Sequence, residues 1–153
     1  MTAALAIDLD GALGDTRLLW NDWLASASEL LGVEASALPF DRGEAAAELD
    51  RQGGGNWRVL LGRFAEERAA VYVRRDAQTS AVLRALAAAG REIGVFTDAP
   101  EPLARVALAQ LGAERCLVAV EAGSGALGRL LERLGPDAVV VRSRVELLEQ
   151  AAA

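Results

Sequence analysis

Four short apolar runs alternate with segments of helical periodicity along this chain of 153 residues. The runs cover residues 3–9, 92–97, 116–120 and 138–141. Their mostly apolar composition is typical of strands buried on both faces, as in a parallel sheet. The helical segments before the last three runs end near Gly90, Gly112 and Gly135, and glycine commonly ends a helix. The alternation predicts an α/β, Rossmann-like fold with a parallel four-stranded sheet.

The segment between the first two strands, residues 16–75, contains no strand-like run. It holds all three tryptophans, the single tyrosine and two of the three phenylalanines. Residues 18–31 and 57–64 have amphipathic helical spacing, with a glycine break at 53–55. We therefore predict a helical cap at 16–75, inserted into a core formed by residues 1–15 and 76–153. The aromatic side chains could line a substrate pocket, but at helical spacing they more often form plain core.

Composition excludes several kinds of chemistry. All 16 basic residues are arginine, and the chain has neither lysine nor histidine. Catalytic triads with histidine, imidazole metal ligands, lysine Schiff bases and the Walker lysine are therefore excluded. The formal net charge of −6 disfavours nucleic acid as a partner. The single cysteine, Cys116, is expected to be a buried, inert thiol, and with no long apolar run we expect a cytoplasmic protein without membrane association.

Two aspartates, Asp8 and Asp10, lie at the end of the first strand, where parallel sheets bind ligands. Alternate residues of a strand point to the same side, so the two carboxylates converge and raise each other's pKa unless a cation compensates. This spacing indicates a divalent cation or an arginine beside the pair. The alternative is that both lie in a loop, with Asp10 and Gly11 making a turn. Thr97 ends the second strand, and the N-terminus of the helix that follows could bind an anion. Taken alone, Thr97 is only a helix cap.

Residues 7–17, with the sequence IDLDGALGDTR, and residues 95–100, with VFTDAP, occur in an order that resembles the haloacid dehalogenase superfamily. The resemblance spans nearly the whole chain and is strongest to phosphoglycolate-phosphatase-like members with a helical cap. It implies that Asp8 is the nucleophile, that Asp10 is the general acid and then base, and that Thr97 binds phosphate. It further implies Mg²⁺ held by Asp8, by the backbone carbonyl of Asp10 and by a later carboxylate, with a small phosphorylated metabolite as substrate.

The later motifs of that family are degenerate here. Glu121 stands where the family has its lysine, and Arg142 and Ser143 stand where an acidic metal ligand is usual. Loss of both electrostatic contributions predicts weak Mg²⁺ binding and impaired or absent phosphoryl transfer. Asp98 and Asp15 could replace the missing ligand, although Asp98 is equally explained as a helix cap and Asp15 as a surface residue.

Two hypotheses of function follow. The first is an active, Mg²⁺-dependent phosphatase that uses Asp8 and Asp10, and the second is a non-catalytic binding or regulatory protein without a known protein partner. The exchanged signs at Glu121 and Arg142 also suggest that Arg142 or Arg144 turns towards Glu121 and the aspartate pair and replaces lysine and metal. The alternative is that both arginines point into solvent.

Overall fold

A computed structural model describes residues 2–52 and 55–152, in which four strands form one parallel sheet. The strands are β1 (Leu5–Asp8), β2 (Ile93–Thr97), β3 (Ala119–Ala122) and β4 (Val139–Val141). Their order in the sheet is β3-β2-β1-β4, so β1 lies between two neighbours. The carboxyl ends of all four strands therefore lie at one edge of the sheet, with the end of β1 near its middle.

Helices cover both faces of the sheet. Helices α4 (Ala77–Ala88), α5 (Glu101–Leu111) and α7 (Arg144–Ala152) pack against the face that carries Leu5 and Ile7, while α6 (Ala126–Leu134) covers the face that carries Ala6. Close approach of α6 requires Gly94, because a Cβ there would lie 2.6 Å from a methyl group of Leu130. The predicted α/β class is confirmed.

The segment between β1 and β2 forms three helices: α1 (Arg17–Leu31), α2 (Arg42–Arg51) and α3 (Trp57–Tyr72). Trp20, Trp23 and Trp57 are buried together, with ring centroids 5.3 and 5.9 Å apart along the series. Their cluster includes Leu103 of α5, so these helices pack onto the core. The tryptophans are buried core residues, and the division into domains stays a prediction. Gly53 and Gly54 of the predicted break lie outside the described residues.

Two details differ from the sequence prediction. Strand β3 begins at Ala119 instead of residue 116, because after α5 the chain makes a further 3-10 turn at Glu114–Cys116. Only at Val118 does the backbone N–H reach β2, donating to the carbonyl of Ile93 at 2.8 Å. Cys116 is consequently half-buried, not buried as expected. Helices α2 and α7 were not predicted.

Over the two described ranges, no helix is both long and apolar enough to span a membrane.

Candidate functional site

The two aspartates of the first motif occupy different environments. Asp8 is the last residue of β1, and its side chain is 19% exposed. Asp10 lies in the tight loop after β1, and its side chain is 1% exposed. Gly11 has a φ of 103°, and a Cβ there would lie 2.9 Å from the carbonyl oxygen of Arg142, so the turn requires glycine. Asp8 therefore ends the strand, as expected for the pair, while Asp10 and Gly11 make the turn of the alternative.

A buried arginine, Arg42, forms an ion pair with Asp10. It is the first residue of α2, and only 2% of it is exposed. Its guanidinium donates to Asp10 Oδ2 and, at 2.6 Å, to the hydroxyl of Thr16. It also donates to Asp98 Oδ1, from Nε at 3.1 Å and from Nη2 at 2.7 Å. One arginine of the inserted helices therefore bridges the loops that follow β1 and β2.

The remaining hydrogen bonds of Asp10 complete its shell. Oδ1 accepts from both the backbone N–H and the hydroxyl of Thr16, each at 2.7 Å. Oδ2 accepts from the hydroxyl of Thr97 at 3.0 Å. Thr97 is 1% exposed and its hydroxyl also accepts from the N–H of Ala99 at 3.1 Å. Thr97 therefore supports Asp10 in this structure, and its role in phosphate binding stays a prediction.

These surroundings shift the pKa values of the two carboxyl groups in opposite directions. Burial, with the nearby charge of Asp10, raises the pKa of Asp8 above its usual value, against smaller opposing effects of the hydrogen bond from the Asp10 N–H and of the charges of Arg142 and Arg17. Burial would also raise the pKa of Asp10, but Arg42 and the bonds from Thr16 together outweigh it and lower that pKa. The folded chain thus favours the ionised form of Asp10 and disfavours that of Asp8.

Asp8 opens into a cleft of about 490 Å³ at the carboxyl edge of the sheet. Beside it lie Arg17 and Arg142, while Asp41 and Glu44 line the side formed by α2. Nη1 of Arg142 is 3.7 Å from Asp8 Oδ2, and its guanidinium lies over the ring of Phe96 at 5.5 Å from the centroid. The opposite wall is the loop that begins α6. Asp10 does not line this cleft.

The charge exchange expected at the later motifs is found only in part. Glu121 pairs with Arg129 at 2.9 Å and with Arg133 at 2.7 Å, both on α6, because Glu121 lies on the face of β3 that α6 covers. Arg144 pairs with Asp76 at 3.0 Å. Only the long contact between the half-exposed Arg142 and Asp8 agrees with the expectation.

The cation predicted beside the aspartate pair is Arg42, which the sequence analysis did not single out. It is one of 16 arginines and stands at the start of a short polar helix, where an arginine is usually solvated. Gly43, which follows it and permits close helix contact, is the only local signal. Ser143 caps α7, its hydroxyl accepting from the N–H of Glu146 at 3.1 Å.

Several solved structures share the fold over nearly the whole chain. CbbY from Rhodobacter sphaeroides in complex with phosphate has a TM-score of 0.69 and 18% identity, covering 99% of this chain and 82% of CbbY. A CbbY mutant in complex with xylulose-(1,5)bisphosphate has a TM-score of 0.68 and 17% identity over the same shares. The chain has the haloacid dehalogenase-like fold. A Thermotoga maritima protein that carries the name beta-phosphoglucomutase has a TM-score of 0.57 and 19% identity, and the match again covers 99% of this chain and 82% of that protein. No protein-family model matches the chain, and no curated protein matches it.

The haloacid dehalogenase-like fold implies Mg²⁺, but the residues here do not fit that ion. Magnesium requires near-octahedral oxygen ligands, with carboxylates free to reach it. The missing ligand is the later carboxylate, and Asp98, one candidate to replace it, is bound to Arg42. Asp15 accepts from the N–H of Arg17 at 2.9 Å, within its own loop. Across residues 2–52 and 55–152, no three acidic or cysteine side chains are grouped to hold a metal.

Proposed function

We propose that this protein combines the haloacid dehalogenase-like fold with a non-catalytic role, in which the cleft beside Asp8 binds a ligand that is not hydrolysed. The ion pair between Arg42 and Asp10 is the observation that carries this proposal. An aspartate that protonates the leaving oxygen must be able to carry a proton. In this chain both carboxylate oxygens of Asp10 accept hydrogen bonds, and Arg42 favours its ionised form.

The distribution of charge around Asp8 supports the same proposal. Phosphoryl transfer is accelerated mainly by positive charge around the transferred group. The cations nearest Asp8, Arg17 and Arg142, are balanced in the cleft by Asp41 and Glu44. Arg42, the one buried cation among the described residues, is directed at Asp10 and Asp98 and away from the open space.

An active phosphatase of a small phosphorylated metabolite is the second candidate. It is favoured by Asp8, which faces an open cleft between two arginines at the position of the family nucleophile. It is also favoured by the similarity to CbbY, whose structures contain phosphate and xylulose-(1,5)bisphosphate. This candidate requires Arg42 to leave Asp10 before Asp10 can carry a proton.

A phosphatase assay decides between the candidates. A panel of small phosphate esters is incubated with wild type and with Asp8→Asn, with and without millimolar Mg²⁺, and phosphate release is measured. Titration calorimetry with Mg²⁺ is performed on the same two proteins. We expect phosphate release at the level of the blank in every case and no stoichiometric Mg²⁺ binding, because the family's lysine and its acidic metal ligand are both missing. Their loss should lower the rate by thousands-fold or more, which corresponds to a transition-state stabilisation on the order of 4 kcal/mol or more.

The opposite outcome is equally specific. Turnover that requires Mg²⁺ and disappears in Asp8→Asn would establish the phosphatase and refute the non-catalytic role. Turnover that persists in Asp8→Asn would indicate a contaminating enzyme. Calorimetry with the same esters, in the absence of turnover, then identifies which of them the cleft binds.

A further inference from the structure

Arg42 joins an inserted helix to the core through side chains that are distant in sequence. It is 32 residues from Asp10 and 56 residues from Asp98. Three of its groups reach Asp98: Nε, Nη2 and its own backbone N–H, which donates to Asp98 Oδ2 at 3.3 Å. The fork of the guanidinium suits such simultaneous contacts, which the point charge of lysine would not reproduce.

The residue after Arg42 provides a second, independent contact. A Cβ at Gly43 would lie 2.1 Å from the hydroxyl oxygen and 3.0 Å from the backbone nitrogen of Ser124, in the loop before α6. The first turn of α2 is therefore pressed against that loop while Arg42 reaches the loops after β1 and β2. These contacts place the start of α2 over the carboxyl edge of the sheet.

The charge of Asp10 makes this contact energetically important. Asp10 is almost fully buried, and a buried carboxylate without a partner is strongly unfavourable. Among the described residues, Arg42 is the only cation in a salt bridge with Asp10. Arg17 and Arg142 lie on the side of Asp8, in the open cleft. Removal of Arg42 therefore leaves Asp10 with hydrogen bonds but no counter-charge.

We propose that Arg42 is the internal counter-cation of the buried Asp10 carboxylate and clamps α2 onto the core. The clamp fixes one wall of the Asp8 cleft, formed by Asp41 and Glu44, without any dissociable ion. This inference concerns the conformation of α2 and does not depend on whether the protein hydrolyses a substrate.

Hydrogen exchange measured by mass spectrometry tests the clamp. The proteins are wild type, Arg42→Met, Arg42→Lys and the control Arg51→Met, which removes an exposed arginine of the same helix that pairs only with the nearby Glu48. In Arg42→Met we expect exchange in residues 42–51 at least tenfold faster and a melting temperature lower by roughly 10 °C, as for one lost partner of a buried ion pair. Arg42→Lys should fall between, and Arg51→Met should match wild type.

If Arg42→Met does not fold alone, recovery of a folded protein in the Arg42→Met, Asp10→Asn double variant supports the proposal, and failure of the double variant to fold contradicts it; if both single variants fold, the same variants form a double-mutant cycle. Asp10→Asn in the Arg42→Met background removes both charges, so the double variant should fold and lose less stability than the two single losses together. Additive losses of stability in the two single variants would overturn the clamp. So would hydrogen exchange in α2 that is the same in Arg42→Lys, Asp10→Asn and wild type. Phosphatase activity would refute the proposed function and leave these results unchanged.

Discussion

At the scale of single residues, two aspartates that are two positions apart contribute to the stability of the folded chain with opposite sign. The lowered pKa of Asp10 means that its charge stabilises the folded chain above the pKa of an unfolded aspartate, 3.8, and that this contribution is lost as pH falls through the lower folded value. Asp8 has a raised pKa, so its ionisation costs stability once pH rises above 3.8. One loop therefore contains both a stabilising and a destabilising carboxylate.

Replacing each aspartate by asparagine separates the two contributions. At pH 7, Asp8→Asn should stabilise the protein by about 0.5–2 kcal/mol, because it removes a half-buried charge beside another of the same sign. Asp10→Asn should destabilise it by about 3 kcal/mol, because Arg42 loses a buried partner. Urea denaturation at several pH values measures both effects.

The pH dependence provides the control for this pair of variants. The gain in Asp8→Asn should disappear as pH falls towards about 4, where wild-type Asp8 is itself protonated. The loss in Asp10→Asn should persist to lower pH, since the pKa of Asp10 lies below that of Asp8. Equal signs for the two variants at pH 7 would contradict the assignment of Arg42 to Asp10.

At the scale of elements, helix α2 is positioned by its first turn. The helix has ten residues and begins with Asp41 as N-cap, whose carboxylate accepts from the N–H of Glu44 at 2.9 Å. A helix of this length is marginal by itself and depends on tertiary contacts. Those contacts are made by Arg42 and Gly43 at its start and by the burial of Leu49 in the tryptophan cluster.

The substitution Gly43→Ala tests the close approach at this turn. Glycine to alanine in a helix usually stabilises by about 0.5–1 kcal/mol. At Gly43 we expect a loss of about 1–3 kcal/mol, because the new methyl group overlaps Ser124. The control is Gly62→Ala in α3, where the nearest atom is a Cβ of Pro102 at an ordinary 3.6 Å.

Urea denaturation of both glycine variants gives the comparison. The expected signs are opposite, with Gly62→Ala as stable as wild type or more so. Adding Ser124→Ala to Gly43→Ala removes the nearest clashing atom and should restore part of the loss. A stabilised Gly43→Ala would show that α2 does not rest on the loop before α6.

At the scale of the whole molecule, the inserted helices and the sheet share helix α5. Leu103 of α5 belongs to the tryptophan cluster, while Ala104, Leu108 and Leu111 of the same helix belong to the core cluster on the sheet. Tyr72, at the end of α3, packs against both clusters. Neither cluster can therefore open without exposing apolar surface of the other, and such coupling favours cooperative unfolding.

Because all three tryptophans lie between β1 and β2, fluorescence reports on the inserted helices alone. We expect the urea transition followed by tryptophan fluorescence to coincide with that followed by far-ultraviolet circular dichroism, which reports on the entire chain. Leu103→Ala should shift both midpoints together, with a loss of about 2–5 kcal/mol. Separate midpoints would show that the insertion unfolds as an independent domain.

Sequence alone determined the elements that depend on local pattern. Runs of four to seven mostly apolar residues located β1, β2 and β4, since burial on both faces leaves a continuous apolar signal. The same pattern placed Asp8 and Thr97 at strand ends and so at one edge of the sheet. It misplaced the start of β3, because the apolar residues Cys116 and Leu117 precede Val118, whose N–H is the one that reaches β2.

Only the tertiary structure decided which cation neutralises Asp10. The residues next to an arginine in the sequence say little about whether it is buried or solvated, because its partners can be distant. The partners of Arg42 lie 32 and 56 residues away. The choice among 16 arginines was made by the docking of α2, which Gly43 permits and the tryptophan cluster supports. An ion pair between distant residues depends on the relative position of two elements, and that position is a property of the packed molecule.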